Sequence, residues 1–306
     1  MAFDLCDLAD YPRESRQPPS DAQLEKASWL AELAAERVRT QNSLLPAFPA
    51  LAARILAIMQ EPDPDLRELA KTIRSDPAVS ARLLNLANSA FYSRGVEVKT
   101  VQEAAVRLGM KTVSSVAVAA ATQCMLDAQE RETFDIFREH WKRLSAYCTQ
   151  SAVSARWLSL WLSQGDPEHA FLAGLMHDIG KVVALRAVSQ MVLDGDAPSD
   201  LDPRVTDAVL ELSHVPLGSD VAMSWNLPGY VMHACQSHHD QALDAGAVNS
   251  VLHVVRVASG LYESRTDAGH RAALAEEVFS SAHALGLAQE PLKALAEELK
   301  RLSRAS

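Results

Sequence analysis

The residues with reactive chemistry gather around one dipeptide. In Phe171-Leu-Ala-Gly-Leu-Met-His177-Asp178-Ile-Gly180-Lys181, an imidazole and a carboxylate stand side by side in an apolar run. Adjacent nitrogen and oxygen donors suit a borderline or hard divalent ion, and an ion held this way can activate water for phosphate ester hydrolysis. Three more imidazoles, His214, His238 and His239, follow in the same half of the chain. Together with His177 and Asp178 they leave two readings open. One is a single divalent ion (Fe, Mn or Mg), and the other is a buried, hydrogen-bonded polar cluster with no cofactor. The sequence shows no Gly-rich phosphate loop, no Ser-His-Asp order and no setting for a cysteine nucleophile.

The elements that must position these groups read as helices. Apolar residues make up 48% of the 306-residue chain and aromatics only 6%, a balance rich in Ala, Leu and Val that favours close-packed helices over sheets. Ser20 with Gln23, and Thr100 with Glu103, have the spacing of capping boxes, and Asp76-Pro77 that of an N-cap followed by proline at the first helical position. Leu66, Leu69, Ala70 and Ile73 fall on one helical face. In the second half the pattern predicts one helix from about Glu132 to Ser163 and one from Glu168 to about Leu185 carrying the His-Asp pair. Separate helices follow at Pro203–Ser213, Pro216–Trp225, Pro228–His238, Val248–Tyr262, His270–Leu285 and Pro291–Arg304. No convincing alternating strand is present, so the expected fold class is all-α.

Charge and composition narrow the partners. The formal net charge is −10 and the pI about 5.5, a surface that repels phosphate backbones and argues against nucleic acid as a partner. The longest small-apolar run, Val116 to Ala121, is too short to cross a bilayer. The N-terminal residues lack a basic start followed by an apolar run. Cys6, Cys124, Cys148 and Cys235 form no Cys-x-x-Cys pair and read as thiols in a reducing compartment. A cytoplasmic protein without membrane attachment is the expectation.

Several separated motifs resemble the HDOD family, a divergent branch of the HD phosphohydrolases. The first block is Ile73-Arg-Ser-Asp-Pro77, Leu83-Leu-Asn-Leu-Ala-Asn-Ser-Ala-Phe91-Tyr92 and Val101-Gln-Glu-Ala-Ala-Val-Arg-Leu-Gly109. The second is Ala173 to Lys181, then Trp225-Asn-Leu-Pro228 and His238-His239. The resemblance implies an HDOD domain over 41–262, built from an N-terminal helical half (41–130) and an HD-like half (131–262). It leaves 1–40 as an arm and docked helix, dispensable for folding of the core, and 263–306 as C-terminal helices.

The resemblance also implies a four-ligand pattern of His, His-Asp and a distant Asp. On that pattern Arg143 stands at the first position and Ser259 at the last, with His140 one turn before Arg143 as an alternative. A guanidinium has only donors and stays charged, so it ligates no metal. Arg143 is expected to pair with Asp178 in the ion's place, and Arg143 and Lys181 are the cations available to an anion. The implied role is a non-enzymatic regulatory module of bacterial signalling. It would work through contacts with a kinase, a response regulator or a cyclic-dinucleotide enzyme. The rival roles are an HD-type metal-dependent phosphodiesterase and a catalytically silent nucleotide receptor.

Overall fold

Side-chain caps set the helix starts in the N-terminal half. The computed structural model describes residues 18–41, 44–45, 47–88, 95–127, 131–240, 249–266, 271–288, 292, 294, 295 and 297. The Ser20–Gln23 box opens α1 (Asp21–Thr40), with both reciprocal bonds formed. After α2 (Ala50–Met59), Asp65 caps α3 (Leu66–Arg74). Asp76 accepts from the amides of Ala78 and Val79 to open α4 (Pro77–Ala87). The Thr100–Glu103 box opens α5 (Val101–Leu108), which ends at Gly109 with φ +82°, followed by α6 (Met110–Asp127). The chain is all-α, and no strand occurs among the described residues.

The second half differs from the sequence pattern at three points. The helix expected from Glu132 to Ser163 is two, α7 (Arg131–Ile136) and α8 (Arg138–Leu162), parted at Phe137. The helix expected from Glu168 to Leu185 is also two, α9 (Pro167–Met176) and α10 (Ile179–Leu193), with His177 and Asp178 at the junction. Residues 170–185 are all buried, so apolar periodicity carries no trace of the bend. Conversely, the helices expected on either side of Pro216 are one, α11 (Pro203–Ser224). Packing on both sides carries that helix past the missing amide.

The last described helices are α12 (Gly229–Ser237), α13 (Ser250–Thr266) and α14 (Arg271–Ala284). Most of the helix expected at Pro291–Arg304, the arm at 1–17, Cys6, and Ser89 through Tyr92 lie outside the described residues.

The chain divides into two compact units, the described parts of Met1–Pro46 with Glu130–Arg304, and those of Ala47–Gln129. The smaller unit packs α2 to α6 around Ile55, Leu69, Ile73 and Leu83. Asn88 ties its chain beyond α4 by donating to the Val98 carbonyl and accepting from the Val98 amide.

In the larger unit α8, α9, α12, α13 and α14 share a core that includes Leu158, Ala173, Ala234, Val254, Ala258 and Val278. Helix α1 belongs to this unit and packs on α10 and α11 through Ala27, Leu30, Ala31, Ala34 and Val38. Arg37 reinforces it by pairing with Asp194 and Asp196 just past α10.

Candidate metal centre

His177 and Asp178 are held by two close helix crossings. A Cβ built on Gly174 meets the Ser151 carbonyl at 2.8 Å, and one on Gly180 meets the His214 carbonyl at 1.9 Å and the Gly218 amide at 2.6 Å. Glycine on both sides of the pair therefore lets α9 lie against α8 and α10 against α11, backbone to backbone. The second crossing brings His214, near the middle of α11, against Asp178 at the start of α10.

Four imidazoles and one carboxylate then converge. His214 Nε2 lies 3.2 Å from His238 Nε2 and 3.1 Å from His239 Nε2. Asp178 Oδ1 lies 3.4 Å from His214 Nε2 and 3.2 Å from His238 Nε2. His177 Nε2 stands 3.6 Å from Asp178 Oδ2 and 3.0 Å from the Tyr147 hydroxyl. His177, Asp178, His214 and His238 are between 1% and 4% exposed, whereas the His239 side chain is 35% exposed.

The other ring nitrogens assign the protons. Nδ1 of His177 faces the Gly174 carbonyl, that of His214 the Glu211 carbonyl, and that of His238 the Ala234 carbonyl. A carbonyl only accepts, so each Nδ1 carries the hydrogen and each Nε2 presents a lone pair. Burial keeps these rings neutral. It brings His214 down to about 4 and lowers His177 and His238 as well.

His239 differs. Burial pulls it down, but the Glu277 carboxylate on its Nδ1, with Asp178 and Glu263 nearby, outweighs that and raises it. His239 is thus the imidazole best placed to donate a proton toward His214.

These donors fit a metal ion. His214, His238 and Asp178 turn acceptor atoms toward one another, and Asp178 Oδ1 is buried without a properly directed hydrogen bond. A tetrahedral ion with bonds of about 2.0 Å sets its donors about 3.3 Å apart. The nitrogen–nitrogen and nitrogen–oxygen separations of 3.1 to 3.4 Å match that edge. His214, His238 and His239 would hold such an ion, with Asp178 Oδ1 beside His214 and His238 as a further donor. Their Nδ1–H bonds to carbonyls and a carboxylate are the supports that metal-binding imidazoles need.

A second cluster adjoins the first. Lys181, at 6% exposure, places its ammonium 2.9 Å from Asp178 Oδ2, 2.8 Å from Glu211 Oε1 and 3.1 Å from Glu263 Oε1. It also lies over the Tyr147 ring, 5.4 Å from the centroid. Burial disfavours the charged lysine, yet the three carboxylates outweigh it and raise its pKa. Burial likewise works to raise Asp178, and Lys181, His177 and His214 overcome it to hold the carboxyl well below its usual range. On Glu263 burial prevails over Lys181 and the pKa rises.

The cation paired with Asp178 is therefore Lys181, where Arg143 was expected. Arg143 is 43% exposed and binds Asp207 of α11, with His140 Nε2 3.3 Å from the same carboxylate. The Ser259 hydroxyl turns back to the Val255 carbonyl at 2.9 Å. The side chains that α8 and α13 present to the cluster are Tyr147 and Glu263, each one turn beyond Arg143 and Ser259. Sequence reasoning missed Tyr147, Glu211, Glu263 and Glu277. Only Glu211 carried a signal, its i,i+3 spacing to His214.

The HDOD domain family model matches residues 45–241. The chain belongs to the HDOD family. Its fold is shared with the crystal structure of a "Putative metal-dependent phosphohydrolase" from Shewanella amazonensis SB2B, at TM-score 0.65 and 22% identity over 90% of this chain and 99% of that one. An HDOD domain protein from Geobacter sulfurreducens gives TM-score 0.64 at 21% identity, covering 91% and 96% of the two chains. A "Putative signal transduction protein" from Marinobacter aquaeolei VT8 gives 0.61 at 22%, covering 92% of this chain and 64% of the other. A protein of Treponema pallidum (strain Nichols) is 25% identical over 205 residues, 64% of this HDOD chain and 38% of its own length. Among the described residues, no helix is long and apolar enough to cross a membrane.

Proposed function

We propose that this HDOD chain is a non-enzymatic regulatory module that acts by binding another signalling protein. The observation that carries the reading is the burial of four of the five residues of the centre. His177, Asp178, His214 and His238 are at most 4% exposed, and of the five grouped residues only His239, at 35%, reaches the surface, which disfavours entry of a phosphate ester to Asp178. Two further features support it. Tyr147 meets His177 with a phenol that is a poor ligand while protonated, and burial raises its pKa well above the usual value. The two cations offered to a phosphate, Lys181 and Arg143, are both taken by carboxylates. One relative in fold is named for signal transduction. The partner classes are a kinase, a response regulator or a cyclic-dinucleotide enzyme, met in a reducing cytoplasm.

Metal analysis of the purified chain, with a phosphodiesterase screen under Mn, Mg and Fe, tests this. The expected result is no turnover above the Asp178→Asn variant, whatever metal is present. Turnover that this substitution abolishes would refute the reading.

The converging Nε2 atoms favour a second reading, a metal-dependent phosphohydrolase. Here His214, His238, His239 and Asp178 would hold the ion, which supplies a Lewis acid and an acidified water. Asp178 would hold the ion through Oδ1, and Glu277 on His239 Nδ1 would orient that imidazole and strengthen it as a ligand. This reading requires the centre to open to solvent, and the same screen separates the two.

A further inference from the structure

The ammonium of Lys181 sits where three carboxylates from three segments meet. Asp178 comes from the α9–α10 junction, Glu211 from α11 and Glu263 from α13, with oxygens 2.8 to 3.1 Å from Nζ. Burying an ammonium costs several kcal/mol unless it is fully paired, and here the pairing is more than complete. One positive charge faces three carboxylates, and the imidazoles His177 and His214 beside them are held neutral. Asp178 meets Lys181 through Oδ2 and turns Oδ1 toward His214 and His238, so the two clusters share this carboxylate.

We propose that Lys181 is a tethered cation filling a site whose donors suit a hard divalent ion, and that removing its side chain opens the site to such an ion. Hard divalent ions take carboxylate oxygens at roughly 2.3–2.6 Å when the ion is Ca²⁺. Each carboxylate therefore moves inward by about 0.5 Å from its contact with Nζ. Truncation to alanine frees the volume of the lysine stem, and water completes the coordination shell. The site shares Asp178 with the histidine centre but uses its other oxygen, Oδ2, and its donors are all oxygen, which suits a hard ion. In the native chain the lysine gives the cluster its cation permanently, without dependence on metal supply. The inference stands apart from the regulatory reading, since it concerns which cation is bound and not whether hydrolysis occurs.

Ca²⁺ alone is the probe, because imidazole nitrogens are poor ligands for it. The full chain and its Lys181→Ala variant are stripped with chelator, then titrated with Ca²⁺ by calorimetry and thermal unfolding. The variant is expected to melt below the parent in chelator, to bind one equivalent of Ca²⁺ that the parent does not bind, and to gain a midpoint that climbs with Ca²⁺ concentration. Adding Glu263→Gln to Lys181→Ala should abolish the response. A folded Lys181→Ala chain that takes up no Ca²⁺, or a double variant that responds equally, overturns the proposal. If Lys181→Ala is unfolded in chelator, helical circular dichroism is followed during the titration. Recovery supports the site, and absence of recovery overturns it.

Discussion

The Gly180 Cα lies so close beneath the His214 carbonyl that a Cβ there would stand 1.9 Å from the oxygen. This contact fixes the crossing of α10 and α11, and through it the distance between Asp178 and His214. Gly180→Ala must force the helices apart, and overpacking on this scale costs roughly 3 kcal/mol or more. Gly229, at the start of α12, has open space around its would-be Cβ. Urea denaturation should therefore show Gly180→Ala badly destabilised or unfolded, and Gly229→Ala close to the parent.

Acid should weaken the fold before the carboxylates titrate. His214 has an ordinary pKa of 6.5 in the unfolded chain and one lowered to about 4 when folded. Below pH 6.5 the unfolded chain takes up a proton that the folded chain refuses until about pH 4. The contribution is whole above 6.5 and lost as pH falls through that window, roughly 3 kcal/mol in all. His177 and His238 act in the same direction, while the raised His239 works oppositely and offsets part. Unfolding free energies measured in chelator should hold level from pH 8 to about 7 and decline from there to pH 4. A flat profile would show that these rings are not held neutral.

Two thiols should resist alkylation. Burial pushes Cys148 up to about 12 and raises Cys235 further, and Cys235 also donates to the Met176 carbonyl. The thiolate is the reactive form, so iodoacetamide at pH 8 should leave both unmodified in the native chain and label both in urea. Peptide mass spectrometry reads the difference.

Helix α1 should be part of the stable core. Leu30 is 0% exposed against α10 and α11, whereas its neighbour Trp29 is 55% exposed. Leu30→Ala is expected to cost about 2–5 kcal/mol, and Trp29→Ala well under 1 kcal/mol. Deleting residues 1–41 should lower the thermal midpoint sharply, in contrast to the expectation from sequence that this segment is dispensable for the core. An unchanged midpoint would restore that expectation.

The sequence by itself determined the all-α class, the caps at Ser20, Asp76 and Thr100 and the HDOD family, and it named the candidates His177, Asp178, His214, His238 and His239 that the fold brings together. Each of these is written locally, in a few adjacent residues or at one helical spacing. Tertiary structure alone decided that the His-Asp pair sits at a helix junction, that Lys181 rather than Arg143 meets Asp178, and that Tyr147 and Glu263 are the residues α8 and α13 turn inward. Those outcomes depend on which turn of one helix faces which turn of another. The Gly174 contact sets the alignment of α9 on α8 and the Gly180 contact that of α10 on α11, and a one-turn change along α8 or α13 would exchange Arg143 for Tyr147 or Ser259 for Glu263 without altering the apolar periodicity of either helix.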